Sequence, residues 1–191
     1  MLVPKIEEYF EEELSWFKNP IFQDFAVKML QNFPPYFLEV ASSSSGKYHS
    51  QWSNCKPLGL AKHTKAVCQV AHQLAPAYSL TDDEHDAVLL ASLCHDSIKY
   101  SWGGGKHTSK IHEAEGAIFF KRCVKQFNPE LPLQNAIYVA ISAHAGHWAV
   151  TDPPKKFPED FDKIGQLLHI SDMVASRPGI RFDFLETSLV G

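Results

Sequence analysis

The stretch Thr81-Asp82-Asp83-Glu84-His85-Asp86-Ala87-Val88-Leu89-Leu90-Ala91-Ser92-Leu93-Cys94-His95-Asp96 decides the fold. Thr81 and Glu84 stand at the spacing of a capping box, which marks a helix start. The interior from Ala87 to Cys94 is apolar nearly all round, the pattern of a helix buried on most sides. That helix runs straight into an imidazole and a carboxylate, His95 and Asp96. Bare polar side chains are costly at the end of so apolar a run, so the pair needs a partner.

Helical patterning continues on both sides. Residues from Lys5 to Phe17 form an amphipathic helix stopped before Pro20. Asn19-Pro20 starts a second, with Pro at the first helical position; it carries Ile21, Phe22, Phe25, Met29 and Phe33 up to Pro34-Pro35. Residues 36–58 read as a long loop. From Gly59, the residues Leu60, Thr64, Val67, Cys68, Ala71 and Leu74 share one face at helical spacing, with His63 beside it and Pro76 as the stop. Beyond Asp96, Gly103-Gly104-Gly105 marks a surface loop. Ser109 is expected to cap a helix reaching about Phe127, with His112 in its first turn. Another helix begins near Pro132 and ends at His144. A further one spans about Asp160 to Ser176 with Asp172 near its end, and Phe182 to Val190 reads as a short last helix. No strand pair is evident, so the expected class is all-α.

The chain has 191 residues, 45% of them hydrophobic, which suits one sizeable core and a single domain over 1–191. Residues 1–58 read as a helical extension and loop packed on a 59–177 core. A net charge of -4 argues against a nucleic-acid-coating surface. Cys55, Cys68, Cys94 and Cys123 form no short pair, and the last three lie in mostly apolar helical contexts. They are expected to be reduced core residues of a cytoplasmic protein. The N-terminal MLVPKIEEYFEEELSWF is acidic and amphipathic, unlike a secretory leader. No apolar run approaches a membrane span.

Six residues of metal-ligand type recur in one order: His63, His95, Asp96, His112, His144 and Asp172. Imidazole and carboxylate suit Fe, Mn, Co, Ni or Zn. Any one of these histidines alone is more often a hydrogen-bonded core or surface residue; His72, His85 and His107 are read that way. The ordered set at the ends of buried helices is different, because facing helices of a bundle can aim such groups at one point. Asp96 is the natural bridge between two cations, having two oxygens. Lys99 follows by three residues and, with one more helical turn, lies on the side of the carboxylate.

His63, His95-Asp96 and Asp172 resemble the signature of the HD superfamily of metal-dependent phosphohydrolases, over about Leu58 to Arg177. His112 and His144 resemble the additional ligands of two-metal members. The segments His95-Asp96-Ser97-Ile98-Lys99 and His112-Glu113-Ala114-Glu115-Gly116-Ala117 are similar to those of HD-GYP-like phosphodiesterases and bacterial HD diadenosine tetraphosphate hydrolases. The Gly-Tyr-Pro tripeptide of the former is missing, which puts cyclic-dinucleotide hydrolysis in doubt. The resemblance implies an HD-type helical bundle holding two divalent transition-metal ions. His63, His95, Asp96 and Asp172 would hold one ion, and Asp96, His112 and His144 the other. A metal-activated water would cleave a phosphoester or phosphoanhydride of a small phosphorylated substrate, expected to be a nucleotide or dinucleoside polyphosphate. By the same resemblance Lys99, with Asp96, takes a catalytic role, stabilising charge on phosphate. Two alternatives are an HD-fold mixed-valent diiron oxygenase and a non-catalytic nucleotide sensor.

Substrate-side candidates are Lys47, Tyr48 and His49, which follow Ser42-Ser43-Ser44-Ser45-Gly46, together with Arg177 and with His147 beside Trp148. Lys47 lacks the spacing of a nucleotide loop, and residues 42–49 are expected to act as a lid. Lys47→Ala is expected to weaken substrate use while leaving metal content unchanged. Steady-state kinetics unaltered across a broad substrate panel would reduce the segment to a connector.

Overall fold

The computed structural model describes residues 5–45, 52–148, 160–180 and 182. Among them are eight α-helices: α1 (Ile6–Tyr9), α2 (Glu11–Ser15), α3 (Pro20–Leu30), α4 (Gly59–Leu74), α5 (Asp82–Cys94), α6 (His112–Phe127), α7 (Gln134–Ala143) and α8 (Lys163–Ala175). Short 3₁₀ turns lie at Pro35–Leu38, Ala75–Tyr78 and Gly146–Trp148. No strand occurs among the described residues, and the class is all-α as the patterning predicts. No described helix is long and apolar enough to cross a membrane.

Helix α5 is the axis of the bundle. Every residue from His85 to Cys94 is buried, and α5 packs against α4, α7 and α8, with α3 and α6 also touching it. Its capping box forms in both directions: Glu84 N–H donates to Thr81 Oγ1 at 3.2 Å, and Thr81 N–H donates to Glu84 Oε2 at 2.8 Å. Beyond Cys94 the chain keeps turning but more tightly. Ser97 N bonds Cys94 O at 3.0 Å, Lys99 N bonds Asp96 O at 3.1 Å, and Ser101 N bonds Ile98 O at 3.1 Å. Such three-residue turns eclipse side chains i and i+3, which stacks Lys99 directly over Asp96.

Residues 5–30 lie on this bundle in a different form from the one expected. The single helix over Lys5–Phe17 is broken at Phe10, whose backbone (φ -103°, ψ 18°) leaves the helical region. Its ring is fully buried, and turning inward is the gain that offsets the break. Helix α3 starts at the Asn19 cap, which accepts from Ile21 N–H at 3.0 Å, and it stops at Leu30, short of Phe33. Ser109 does not cap α6. It accepts from Ile111 N–H at 3.3 Å, and α6 begins at His112 without a side-chain cap.

Asp86, fully buried on α5, anchors the N-terminal segment. Its carboxylate accepts from Lys18 N–H at 3.0 Å, from Asn19 N–H at 2.7 Å and from His85 Nδ1–H at 2.9 Å. His85 Nε2 in turn meets His72 Nδ1 at 3.1 Å, and the Trp16 ring stacks on His72 at 4.6 Å. A second tie is the buried pair Glu13–Lys65 at 2.6 Å, where the ammonium also donates to Tyr9 O at 3.2 Å. Cys68, Cys94 and Cys123 are buried and Cys55 half-buried, all as free thiols.

Deleting an anchor leaves its partners buried without an acceptor. Asp86→Ala is therefore expected to cost about 2–4 kcal/mol in denaturant unfolding, against about 1 kcal/mol for Thr81→Ala at the exposed cap. Equal losses would mean that the Asp86 carboxylate does not hold the segment.

Candidate metal centre

The six ligand-type residues are delivered by five helices. His63 comes from the second turn of α4, His95 and Asp96 from the end of α5, and His112 from the first residue of α6. His144 caps the end of α7, and Asp172 lies near the end of α8. Gly116 lets α6 approach closely, since a Cβ there would lie 3.0 Å from His95 O. His63, His95, Asp96 and His144 are essentially inaccessible. His112 and Asp172 keep side-chain exposures of 14% and 17%, the way in from solvent.

Three of the imidazoles share one local device. His95 Nδ1–H donates to Ser92 O at 2.7 Å, His112 Nδ1–H to Ser109 O at 3.0 Å, and His144 Nδ1–H to Ile141 O at 2.7 Å. A carbonyl only accepts, so the proton of each neutral ring sits on Nδ1 and the lone pair on Nε2. All three Nε2 atoms point at Asp96. Its Oδ2 lies 3.4 Å from His95 Nε2 and 3.7 Å from His63 Nε2. Its Oδ1 lies 3.3 Å from His112 Nε2 and 3.6 Å from His144 Nε2. Asp172 Oδ1 closes the first group, 3.0 Å from His63 Nε2 and 4.0 Å from His95 Nε2.

Lone pairs facing carboxylate oxygens repel unless a cation stands among them. Asp96 Oδ1 is buried and has no hydrogen-bond partner among the described residues, and such an atom calls for a positive neighbour. One cation is built in: Lys99 Nζ lies 2.7 Å from Asp96 Oδ2 and 3.4 Å from His112 Nε2. Burial pushes the Asp96 carboxyl up, but Lys99 and His95 outweigh it and hold the group well below the usual carboxylate range. Burial likewise opposes charge on Lys99, and the carboxylates of Asp96 and Asp172 outweigh it, raising the ammonium above its ordinary value. Burial, with Lys99 beside it, pushes His112 well below the ordinary histidine value, which keeps it a neutral donor.

The donor set fits a divalent first-row ion. Ligand atoms of His63, His95 and Asp172 lie within 4.8 Å of one another, and so do those of His95, Asp96 and His144. His95 thus faces both groups, and His112 falls outside the tighter sets although it touches Asp96.

The other expected site residues are less central. Lys47, Tyr48 and His49 lie outside the described residues, as does the Trp148 side chain. His147 and Arg177 are both exposed, the first on the turn after α7 and the second just past α8. Two buried residues beside the centre carried no sequence signal strong enough to mark them. Glu113 is 2% exposed, its Oε2 has no hydrogen bond among the described residues, and it lies 3.5 Å from His112 Nδ1. His169 donates from Nδ1 to His144 O at 2.6 Å. Its spacing from Asp172, one helical turn, was the available hint.

A family model described as the HD domain matches residues 60–176, more than half of the chain. No curated protein and no solved structure matches it.

The Asp96–Lys99 pair generates a stability prediction. Removing one partner of a buried ion pair strands the other, so Lys99→Met is expected to lower the stability of the metal-free protein by about 3 kcal/mol. Chemical denaturation in chelator checks this, and an unchanged midpoint would show that Asp96 does not rely on the ammonium.

Proposed function

The chain belongs to the HD domain family, and from that premise we propose that it hydrolyses a phosphoester or phosphoanhydride bond of a nucleotide or dinucleoside polyphosphate. Proteins of this family are mostly metal-dependent hydrolases. The carrying observation is the split of Asp96: Oδ2 faces His63 and His95, with Asp172 beside them, while Oδ1 faces His112 and His144. That arrangement supports two divalent transition-metal ions. His63, His95, Asp96 and Asp172 are assigned to one ion and Asp96, His112 and His144 to the other. Bound there, the ions supply Lewis-acid activation of water and of the phosphoryl group.

The chain's own residues do the rest. Three Nδ1–H···O=C bonds fix the ring orientations and turn each Nε2 toward Asp96. Lys99, held on Asp96, presents a compact ammonium where negative charge grows on a transferring phosphoryl oxygen. Burial around Asp96 lowers the local dielectric and strengthens each of these interactions. Entry follows the exposed edges of His112 and Asp172, and the distal parts of the substrate are assigned to His147 and Arg177 and to the segment bearing Lys47, Tyr48 and His49. We read the chain as one HD-type domain, with residues 1–58 packed on the 59–177 core.

Two measurements test this reading. Metal-loaded protein in a nucleotide screen with phosphate detection is expected to cleave a phosphate bond without consuming dioxygen; turnover that needs dioxygen and releases no phosphate bond to water contradicts it. His144→Ala is expected to retain one ion per folded chain and lose activity by orders of magnitude, whereas Asp96→Ala loses both ions. A full complement of two ions in His144→Ala would refute the second-ion assignment.

A further inference from the structure

His144 is held weakly by its own helix. Its backbone N–H reaches Ile141 O at only 3.5 Å, the limit of a hydrogen bond, where α7 ends. The ring is fixed by the 2.7 Å bond from Nδ1 to Ile141 O, but a ring bonded to a loose turn moves with that turn. The backbone is fixed from outside. His169, buried in α8, donates from Nδ1 to His144 O at 2.6 Å. The turn that follows is moulded onto the same imidazole. Gly146 adopts φ +59°, and a Cβ there would lie 2.8 Å from His169 Cε1. Phe161 meets the other ring edge-on, with centroids 6.1 Å apart. The His169 ring is therefore clasped between the turn after α7 and the segment before α8.

We propose that His169 is a positioning residue that fixes His144 as a ligand of the second ion, and that α8 thereby serves both ions at once. The proposal rests on the dinuclear reading above. Asp172 lies on α8 one turn beyond His169, so a single rigid helix presents a carboxylate to the first group and clamps the turn that carries a ring of the second. Partners at this remove orient ligands, and their loss typically weakens metal affinity by about 10–100-fold. A purely space-filling role for His169 predicts something else: a loss of stability that weakens both ions alike and depends on ring size rather than on the N–H.

The test is titration of Co²⁺ into metal-free full-length protein, followed by visible absorption and calorimetry, with thermal unfolding in parallel. His169→Asn keeps a donor near the position of Nδ1, and His169→Phe keeps the ring without the donor. Expected is a second-ion affinity about 10–100-fold weaker in His169→Phe, near wild type in His169→Asn, with the first ion unchanged in both. Gly146→Ala, which strains the turn and crowds the ring, is expected to reproduce the selective loss and carries the test should His169→Phe fail to fold. Wild-type second-ion affinity in folded His169→Phe, or equal weakening of both ions, overturns the proposal while leaving two ions per chain intact. Wild-type protein that takes up only one ion overturns the dinuclear reading itself, and the proposal with it.

Discussion

The structure depends on one buried carboxylate. Asp96 stands at the end of α5 with 1% of its surface exposed, and four imidazole nitrogens and one ammonium surround its two oxygens. An ionised carboxylate at that depth is tolerable only in the company of positive charge. Lys99 satisfies Oδ2, whereas Oδ1 has no hydrogen-bond partner among the described residues. The architecture follows from this constraint. Helices α4, α5, α6 and α7 each bring an imidazole nitrogen to Asp96, and α8 brings the Asp172 carboxylate to His63 and His95. Helix α5 is buried on every side from His85 to Cys94.

Helix ends do most of the chemistry here. A helix terminus leaves carbonyl groups without intrahelical partners, and His95 and His144 use carbonyls three residues back to hold their Nδ1 protons. His112 does the same with Ser109 O at the opposite pole, the start of α6. The same short loop thus satisfies the backbone and sets the tautomer. The tightened turn after Cys94 adds the last element, since an ordinary α-helical turn would carry Lys99 away from direct register with Asp96.

Much of this was legible in the sequence because it rests on short-range rules. The Thr81–Glu84 box, the Asn19-Pro20 start, the buried run Ala87–Cys94 and the convergence of six ligand-type residues are local patterns or counts. What the sequence could not show depends on distant partners. The break at Phe10 follows from a pocket formed by the rest of the fold. Ser109 has the side chain of a cap, but its carbonyl is used to hold His112 instead. His85 is the hydrogen-bonded histidine expected from the sequence, but its partners were not legible: it bonds His72 and Asp86, and Asp86 reaches Asn19 across about 67 residues. His169 is one more histidine in a helical pattern until the turn after α7 is laid against it. The HD resemblance named the ligands by position and divided Asp96 between two groups; the geometry adds which of its oxygens faces which group.

The most direct test of this account is diffraction at the absorption edge of the bound metal, from crystals of the metal-loaded full chain. Two anomalous peaks are expected, about 3.5–4 Å apart, one on the Oδ2 side of Asp96 beside His63, His95 and Asp172, the other on the Oδ1 side beside His112 and His144. A single peak, or metal bound with Asp96 outside its coordination sphere, would contradict the claim that this carboxylate joins a two-ion centre.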